Sequence, residues 1–484
     1  MTAKKKKRRK SRAAFPLICL LLSAGFFIVG FFSGRSSSPR AALQTESPQQ
    51  CTVTYLVDGE VYETESVAPG KKPAGVGYPR SGGHQVLQWL DGNGREAEVT
   101  ELNVYSDVRY TAVTGPILKR EPGYFPGTAE VFRPEAPLTR GDAARILAAL
   151  LEDAGEGDTE LHDVDAEDPV YPCASLMVTL GYMDAPGGNF SPSAVYNEED
   201  FAALLAPFFR GDDIQRAMGA IEGYGNTGVT RAEAAVVLNA LLGLEDDGRE
   251  TYLPDVEPGY WAERAVALAA QGGGAKRSAG FCNIDGYLYS VQADGYALKN
   301  AYIGSLYFDN NGRYTSGSYE LDDYVAAHIR EYTTPDMTRE EMLRAMYLHV
   351  RDDFTYLRRN YYQVSDIRWA MKEALTMYST GKGNCYCYAA AFWAAARGLG
   401  YDATTVSGTI GSERSPHGWV IIPIEGVHYV FDVEIEMAYH RDGQTHIDVF
   451  KKEHGQAVAT WLYNEAYAYN QVVPREEEMG FALR

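Results

Sequence analysis

The hydrophobic pattern of the chain changes its period several times, and each change predicts a different kind of segment. An uncharged apolar run comes first and is followed by a polar stretch, then by short alternating stretches between turn residues. Helical periodicity follows, then aromatic residues alternating with D-G and N-G turns, and finally a mixture of helices and strands. The chain is therefore expected to be multidomain. The predicted boundaries are 1–12, 13–32, 33–50, 51–115, 116–272, 273–320 and 321–484.

The apolar run at 13–32 has the length of a transmembrane helix. Its twenty uncharged residues match the ~30 Å hydrocarbon core of a bilayer. The segment 4–12 holds eight lysines and arginines, which predicts a cytoplasmic tail at 1–12 and an extracytoplasmic body. A cleaved signal peptide is the alternative, but its apolar region is normally about 7–15 residues and ends at an A-x-A-like site. We expect a retained single-pass anchor followed by a flexible linker at 33–50.

Charge and cysteine content exclude several classes of function. The net charge is −20, and without the eight basic residues of the tail 37 basic face 65 acidic residues, a net −28. Such an acidic body repels phosphate backbones, so nucleic acid is not expected as a partner. The cysteines are too scattered for a disulfide framework, and Cys385 and Cys387 lack the C-x-x-C spacing of a zinc site. No metal or cofactor is predicted.

The segment 51–115 carries four strand-like stretches around a V-A-P-G-K-K-P turn and the single Trp89. These features resemble the internalin B-repeat, a small β-grasp-like unit of Gram-positive surfaces. The resemblance implies a small β-grasp-like module that acts as a spacer without a ligand.

The segment 116–272 repeats a capped helix. Thr139 with Asp142, and Thr230 with Glu233, form capping boxes before helical apolar patterns. A D-V-E-P-G-Y-W-A stretch at 255–262 adds a second kind of unit, and self-similarity at about 50 residues indicates an array. T-R-A-E, its variant T-R-G-D and this stretch resemble S-layer homology repeats, although the middle copy reads V-Y-N-E-E-D.

The S-layer resemblance implies binding of an anionic secondary cell-wall polymer. Arg140 and Arg231 are the candidates for pairing with the anionic groups of such a polymer. The alternative is that the two threonines only cap helices and the two arginines only solvate a face.

The segment 273–320 predicts β-hairpins. Its Y-F-D-N-N-G-R-Y-T-S-G stretch resembles cell-wall-binding hairpin repeats. That resemblance implies stacking of exposed aromatics on sugars. Packing of the hairpins against a neighbouring domain is the alternative.

The segment 321–484 carries the most specific chemistry. A capping box at Thr338 and Glu341 opens one helix, a second helix is expected from Ser365 to Tyr378, and Asn384 caps a third. Cys385 therefore lies in the first turn of a helix, where free N–H groups and the positive dipole end stabilise a thiolate and an oxyanion.

A base and an orienting carboxylate are expected on two strands that follow this helix. His417 precedes G-W-V-I-I-P-I, and V-H-Y-V-F-D-V is the antiparallel partner across the turn at Glu425-Gly426. Pairing of residues whose numbers sum to about 851 brings His417 near 432–434, so Asp432 can hold the imidazole. Glu434 shares the strand face of Asp432 and remains an alternative partner.

The order of these motifs resembles the transglutaminase-like superfamily of papain-type folds. Gly383, Cys385, Tyr388 and Ala389 match its G-x-C-x-x-Y-A helix, His417 with Trp419 its strand, and Asp432 its third member. The resemblance implies an α+β papain-like domain with a catalytic Cys385-His417-Asp432 triad. V-E-I-E after Asp432 departs from the usual Pro-Thr.

Other reactive side chains in this segment are predicted to be structural. Cys387 points about 200° round the helix from Cys385 and is expected to be a small core residue. His428 and His440 are expected to be ordinary strand and loop residues. Tyr356, Tyr361 and Tyr362 could line a cleft, although packing is the simpler role.

The sequence thus predicts a membrane-anchored, wall-associated envelope protein whose Cys385 attacks an amide carbonyl of a protein or peptide. Hydrolysis and acyl transfer share the triad and stay open. The rival hypothesis is a non-catalytic wall-binding or adhesion protein with a degenerate transglutaminase-like domain.

Overall fold

A computed structural model describes residues 50–453, except 78–79, 82, 154, 222–227 and 360–367, together with the course of one further strand at 464–469. The predicted tail, transmembrane helix and linker at 1–49 lie outside the described residues. Within the described part, none of the helices has the length and apolar character needed to span a bilayer.

The first module is a mixed β-sheet. Its strands are β1 Cys51–Val57, β2 Glu60–Val67, β3 Arg80–Ser81, β4 His84–Leu90 and β5 Val108–Pro116. The order is β2-β1-β5-β4-β3, and β1 runs parallel to β5 while the other pairs are antiparallel. Tyr55 and Trp89 meet edge-to-face at 5.3 Å in its core. The alternation in the sequence predicts four of these five strands and does not predict the short β3.

The described residues of the second module form six α-helices. They are α1 Arg140–Leu150, α2 Tyr171–Thr179, α3 Glu198–Leu205, α4 Gly211–Met218, α5 Arg231–Leu242 and α6 Glu263–Ala269. The capping boxes predicted at Thr139 and Thr230 are both present. In the divergent middle copy Asn197 caps α3 by accepting the N–H of Asp200. The middle copy therefore differs in sequence from the other two copies but keeps a side-chain cap at the start of its helix.

The segments that enter these three capped helices meet in a closed ring of backbone hydrogen bonds. Leu138 N–H donates to Val229, Val229 to Tyr196, and Tyr196 to Leu138, at 2.8, 2.8 and 3.1 Å. The last unit also closes onto the first, because buried Asp255 accepts the N–H of Phe132 at 2.9 Å. The helical repeats thus form a closed arrangement rather than an open array.

A two-stranded hairpin and a three-stranded antiparallel sheet of consecutive hairpins join the helical module to the C-terminal one. Their strands are β6 Gly280–Ile284, β7 Tyr287–Val291, β8 Ala301–Ile303, β9 Leu306–Phe308 and β10 Tyr314–Thr315. One apolar cluster contains Val131 of the helical module with Tyr289, and Arg397 of the C-terminal module contacts the Tyr314 hydroxyl at 3.1 Å. Tyr289, Tyr307 and Tyr314 are buried, so these aromatics pack on neighbouring modules.

The C-terminal module places helices on one side of an antiparallel sheet. Its helices are α7 Tyr319–Tyr332, α8 Arg339–Asp352, α9 Trp369–Thr380, α10 Cys385–Gly398 and α11 Val433–Arg441. Its strands are β11 Thr355–Tyr356, β12 Lys382–Gly383, β13 Thr404–Ile410, β14 Ser415–Ile424, β15 Val427–Phe431, β16 Lys452–Glu453 and β17 Asn464–Tyr469. The main sheet has the order β16-β15-β14-β13-β17. All 14 residues of α10 are buried, so this helix is the centre of the module.

The strand predicted at 427–433 ends earlier than expected. β15 stops at Phe431, and Asp432 is the N-cap of α11, so its carboxylate accepts the N–H of Ile435. The acids at Glu434 and Glu436 suit the positive end of a helix, which the strand pattern at 427–433 does not indicate. The predicted register itself is correct, since Val420 pairs with Phe431.

Candidate active site

Cys385 is the first residue of α10. Asn384 caps the helix by accepting the N–H of Cys387 at 3.3 Å. The N–H groups of Cys385 and Tyr386 belong to the first turn and have no carbonyl partner inside the helix. Cys385 is 7% exposed, so the thiol lies at the edge of the core rather than deep within it. A thiolate or an oxyanion at this position faces two backbone donors and the positive end of the helix.

His417 is presented by β14 against the start of α10. It pairs with Gly408 of β13, and the next residue, Gly418, lies directly against Tyr386. A Cβ at position 418 would be only 2.7 Å from the Tyr386 ring, so glycine allows the strand to approach the helix. This approach is what brings the imidazole to the cysteine.

Asp432 lies on the far side of the imidazole. His417 Nε2 is 2.8 Å from Oδ2 and 3.0 Å from Oδ1 of Asp432, and both residues are buried. The turn at Glu425 and Gly426, with φ of 52° and 83°, fixes the hairpin that aligns them. Because Asp432 also caps α11, its carboxylate is held in place by the helix.

The electrostatics of this group favour a charged imidazole. Burial alone lowers the pKa of His417, but the charge and hydrogen bond of Asp432 raise it, and so do those of Cys385. The net pKa of His417 lies well above its usual value. A histidine that stays protonated beside a thiol forms the ion pair on which nucleophilic cysteines depend.

Glu434 approaches the same imidazole from another direction. Its Oε2 is 3.8 Å from His417 Nδ1, and its side chain is 13% exposed. The sequence left Asp432 and Glu434 open as partners of the histidine. The structure brings both to it, with the hydrogen bond going to Asp432.

A buried hydrogen-bond network supports the start of α11. The sequence pattern does not predict this network. The Tyr347 hydroxyl is 2.8 Å from Glu436 Oε2 and 3.1 Å from the Asp432 carbonyl. Arg351 Nη1 donates to Glu436 Oε1 at 2.6 Å. This network connects α8 to α11 and so positions Asp432. Tyr347 and Asp432 are 85 positions apart in the chain, so a local sequence motif cannot indicate their contact.

Cys387 is buried as predicted, but its thiol has polar neighbours. It donates to Glu373 Oε2 at 2.8 Å, and Arg359 Nη1 lies 3.0 Å from the sulfur. Burial, together with Glu373, raises the pKa of the Cys387 thiol to about 12. A thiol held in this protonated form is a poor nucleophile.

The remaining predicted residues lie away from this group. His428 is exposed on β15, and His440 contacts the Ile447 carbonyl through Nε2 at 2.8 Å. Tyr356 is 36% exposed, and Tyr361 and Tyr362 lie outside the described residues. Across the part of the chain that the structure describes, no cluster of three or more histidine, cysteine or acidic side chains could hold a metal ion.

The two arginines predicted to bind wall polymer are both engaged inside the helical module. Arg231 is 3% exposed, pairs with Asp142, and lies over the Phe132 ring. Arg140 donates to the carbonyls of Phe190 and Asp184 at 2.9 and 2.7 Å. The Arg231 guanidinium therefore does not solvate a face, whereas the Arg140 side chain is 19% exposed and pairs with Asp184 at the surface.

Comparison with known proteins supports the identity of the C-terminal module. Residues 326–438 match the family model of the Transglutaminase-like superfamily, a range that includes Cys385, His417 and Asp432. A search of curated proteins finds no match to the chain. The resemblances at 51–115, 116–272 and 273–320 stay predictions. The chain therefore contains a transglutaminase-like domain at residues 326–438.

Proposed function

We propose that this protein is a thiol enzyme of the cell envelope that forms an acyl-thioester at Cys385. The observation that carries the proposal is the Cys385-His417-Asp432 arrangement at the N-terminus of the buried helix α10. A small buried cysteine in an alanine-rich helix would need no charged histidine beside it. The substrate is an amide of a protein or peptide.

Each group has a defined role in this reaction. The Cys385 thiolate attacks the carbonyl carbon, and the oxygen that gains the negative charge is stabilised by the N–H groups of the first helical turn. The amine leaves with a proton from His417 as the carbon–nitrogen bond breaks, and the thioester remains. Water or a second amine then attacks the thioester, gives its proton to His417 and releases the thiolate.

The proposed location follows from the sequence of the segments. The anchor at 13–32 would hold the body outside the membrane, with the tail at 1–12 in the cytoplasm. The modules between 51 and 320 would place the catalytic domain in the envelope, with a wall polymer as a further partner of the helical repeats.

Acetyl transfer from p-nitrophenyl acetate to the full-length protein in detergent tests this proposal. We expect a burst of p-nitrophenol, about one per protein, and one acetyl group on Cys385 by mass spectrometry. Cys385→Ser should lose the rapid burst, whereas the matched variant Cys387→Ser should keep it. Adding a primary amine at increasing concentration then shows whether the thioester goes to water or to the amine.

Absence of acetylation at Cys385 in the folded wild-type protein would contradict the proposal. The rival hypothesis of a non-catalytic adhesion protein would then account for the chain. An acetyl group that appears equally on Cys387 would contradict it too, because that result would show general thiol reactivity.

A further inference from the structure

Glu434 occupies the opposite edge of the imidazole from Asp432. It lies in the first turn of α11, two residues after the cap. Both oxygens of Asp432 face Nε2 of His417, whereas Oε2 of Glu434 is 3.8 Å from Nδ1. The imidazole is thus placed between two carboxylates.

The edge next to Glu434 is also the edge that faces the nucleophile. Cys385 lies close enough to His417 for its charge and hydrogen bonding to raise the pKa of the imidazole. Because both oxygens of Asp432 approach Nε2, Nδ1 is the ring nitrogen left for the thiol. The thiol and the Glu434 carboxylate are therefore neighbours at one edge of the ring.

Within the described residues, Glu434 has no structural contact that explains its position. The neighbouring Glu436 is held by hydrogen bonds from Tyr347 and Arg351. Among the described residues, the Glu434 carboxylate accepts no hydrogen bond, and the one ion pair that Glu434 forms is with His417. Its side chain is also not fully enclosed, being 13% exposed. A substrate group can therefore reach it.

The charges around the thiol are not balanced. With the thiolate and imidazolium paired, Asp432 and Glu434 add two negative charges, and Arg441 is the one further cation that acts on Glu434 among the described residues. Burial raises the pKa of Glu434 and the charge of Asp432 raises it further, while the charges of His417 and Arg441 lower it. A carboxylate whose charge is disfavoured in the empty site gains stabilisation when a cation binds.

We infer that Glu434 is a specificity-determining residue that binds a positively charged group of the substrate beside the Cys385 thiol. The inference rests on the proposed function, in which a substrate approaches that thiol. The group has the chemistry of an ammonium or a guanidinium, which a carboxylate recognises by charge and hydrogen bonds. The acidic body of the protein, −28 outside the basic tail, favours the same class of substrate.

Thiol reagents of opposite charge test this inference on the full-length protein in detergent. The probes are the 2-(trimethylammonium)ethyl and 2-sulfonatoethyl methanethiosulfonates, each of which transfers its thioalkyl group to the thiolate and releases methanesulfinate. The rate at Cys385 is followed by peptide mapping. The ratio of the cationic to the anionic rate cancels the intrinsic reactivity of the thiol, so it reports the local charge.

We expect Glu434→Gln to lower this ratio roughly tenfold, and Glu434→Asp to keep most of it. The matched control is Glu320→Gln. It removes an exposed carboxylate from the first turn of α7, which packs near the other end of α10. That end is about 20 Å from Cys385, since α10 has 14 residues. The control should change the ratio less than twofold.

An unchanged ratio in Glu434→Gln would overturn the inference, and so would an equal decrease in Glu320→Gln. The proposed function fails on a separate result. That result is a neutral methanethiosulfonate that reacts with Cys385 no faster than with Cys387 in the wild-type protein, whatever the ratio of the cationic to the anionic rate.

Discussion

Cys385 and Cys387 are two residues apart on α10 but have opposite surroundings. Cys385 faces a histidine whose pKa is raised, while the Cys387 thiol donates to a carboxylate and has its pKa raised to about 12. A difference of this kind arises from the helix itself, because positions i and i+2 point to different sides. One side meets β14 and the other meets α9.

We predict that iodoacetamide alkylates Cys385 at least tenfold faster than Cys387 at pH 6. The reason is that a nucleophilic cysteine depends on a charged imidazole, and Cys385 lies beside His417, whose pKa is raised, whereas Cys387 stays protonated. Rates are measured by quenching at intervals and mapping the alkylated peptides. His417→Ala should remove the advantage, and Asp432→Asn should weaken it less, because the imidazole remains.

The fold should survive both substitutions, since neither removes much buried apolar volume. Circular dichroism of each variant serves as the control. Equal and slow alkylation of both cysteines in the wild-type domain would count against a nucleophilic role for Cys385.

A pair of stacked histidines, His328 and His349, lies outside the candidate active site. His328 of α7 stacks on His349 of α8 at 4.6 Å, beside Tyr332, Tyr378 and Asp353. Burial, with a smaller effect of His349, lowers the pKa of His328 from 6.5 to about 4, while Asp353 opposes the change. The folded state therefore binds this proton less readily than the unfolded state does.

We predict that this pair destabilises the domain in acid. The contribution of His328 to the free energy of unfolding is fully present above about pH 6.5, where His328 is neutral in the folded and the unfolded state. This contribution is lost as the pH falls towards 4. After a discount for partial exposure the loss is roughly 1 kcal/mol, or about 2–4 °C in melting temperature. His328→Gln should reduce the decrease in melting temperature between pH 7 and pH 5.

The matched control for this measurement is His428→Gln, which removes an exposed histidine from β15. Thermal melts of the three proteins at both pH values are compared. If the two variants lose stability in acid to the same extent as the wild type, the buried pair is not responsible.

At the scale of the element, sequence patterns were most successful where the cause is local. The capping boxes at Thr139, Thr230 and Thr338, and the start of α10 at Cys385, depend on residues within one turn. Strand alternation and a two-residue turn fixed the register of the hairpin that carries His417. These features could be predicted because the interacting groups are close in sequence.

The misjudged elements depend on contacts between distant residues. V-E-I-E can form either a strand or the first turn of a helix, and the choice depends on Asp432 capping α11 while it holds His417. The network of Tyr347, Arg351 and Glu436 joins residues from two helices far apart in the chain. Periodicity within one segment contains no information on such contacts.

Arg231 shows the same limit in the helical module, and it leads to a prediction. Its guanidinium pairs with Asp142 across 89 residues and donates to the Phe132 carbonyl at 2.8 Å. Arg231→Ala would leave the largely buried Asp142 unpaired, so we expect a loss of about 3–5 kcal/mol in unfolding free energy. Urea denaturation of the full-length protein, followed by a signal from this module, measures it.

Arg216→Ala is the control, because Arg216 forms an exposed ion pair with Asp213 within α4 and should cost at most about 1 kcal/mol. Equal effects of the two variants would show that Arg231 has no structural role. Loss of wall binding in an Arg231 variant is interpretable only after this measurement, because unfolding alone would produce it.

At the scale of the whole molecule, the hairpins at 280–315 connect the helical module to the C-terminal one. Buried Arg397 of α10 donates to the Ser305 carbonyl and to the Tyr314 hydroxyl, so the helix that begins with Cys385 ends against the hairpins. On the other side, Lys299 donates to the carbonyl of Asp255 at 2.8 Å. The hairpins therefore act as a structural connection, which agrees with the alternative that they pack on neighbouring domains.

The apolar run at 13–32 is predicted to anchor the chain in the membrane. Twenty uncharged residues match the thickness of a bilayer, and eight cations precede them. A helix inserted in this way is held by apolar burial rather than by charge, so salt does not release it, whereas a peripheral acidic body would detach. Full-length protein should therefore remain in the membrane pellet after a high-salt wash and enter the soluble fraction only with detergent.

A matched control separates anchoring from wall association. A variant that begins at residue 43 after a cleavable secretion signal lacks the apolar run but keeps every downstream module. We expect this variant to leave the membrane pellet, with its Cys385 still reactive towards iodoacetamide. A mature N-terminus near residue 42 in the wild-type protein would instead show that the apolar run is a cleaved signal peptide.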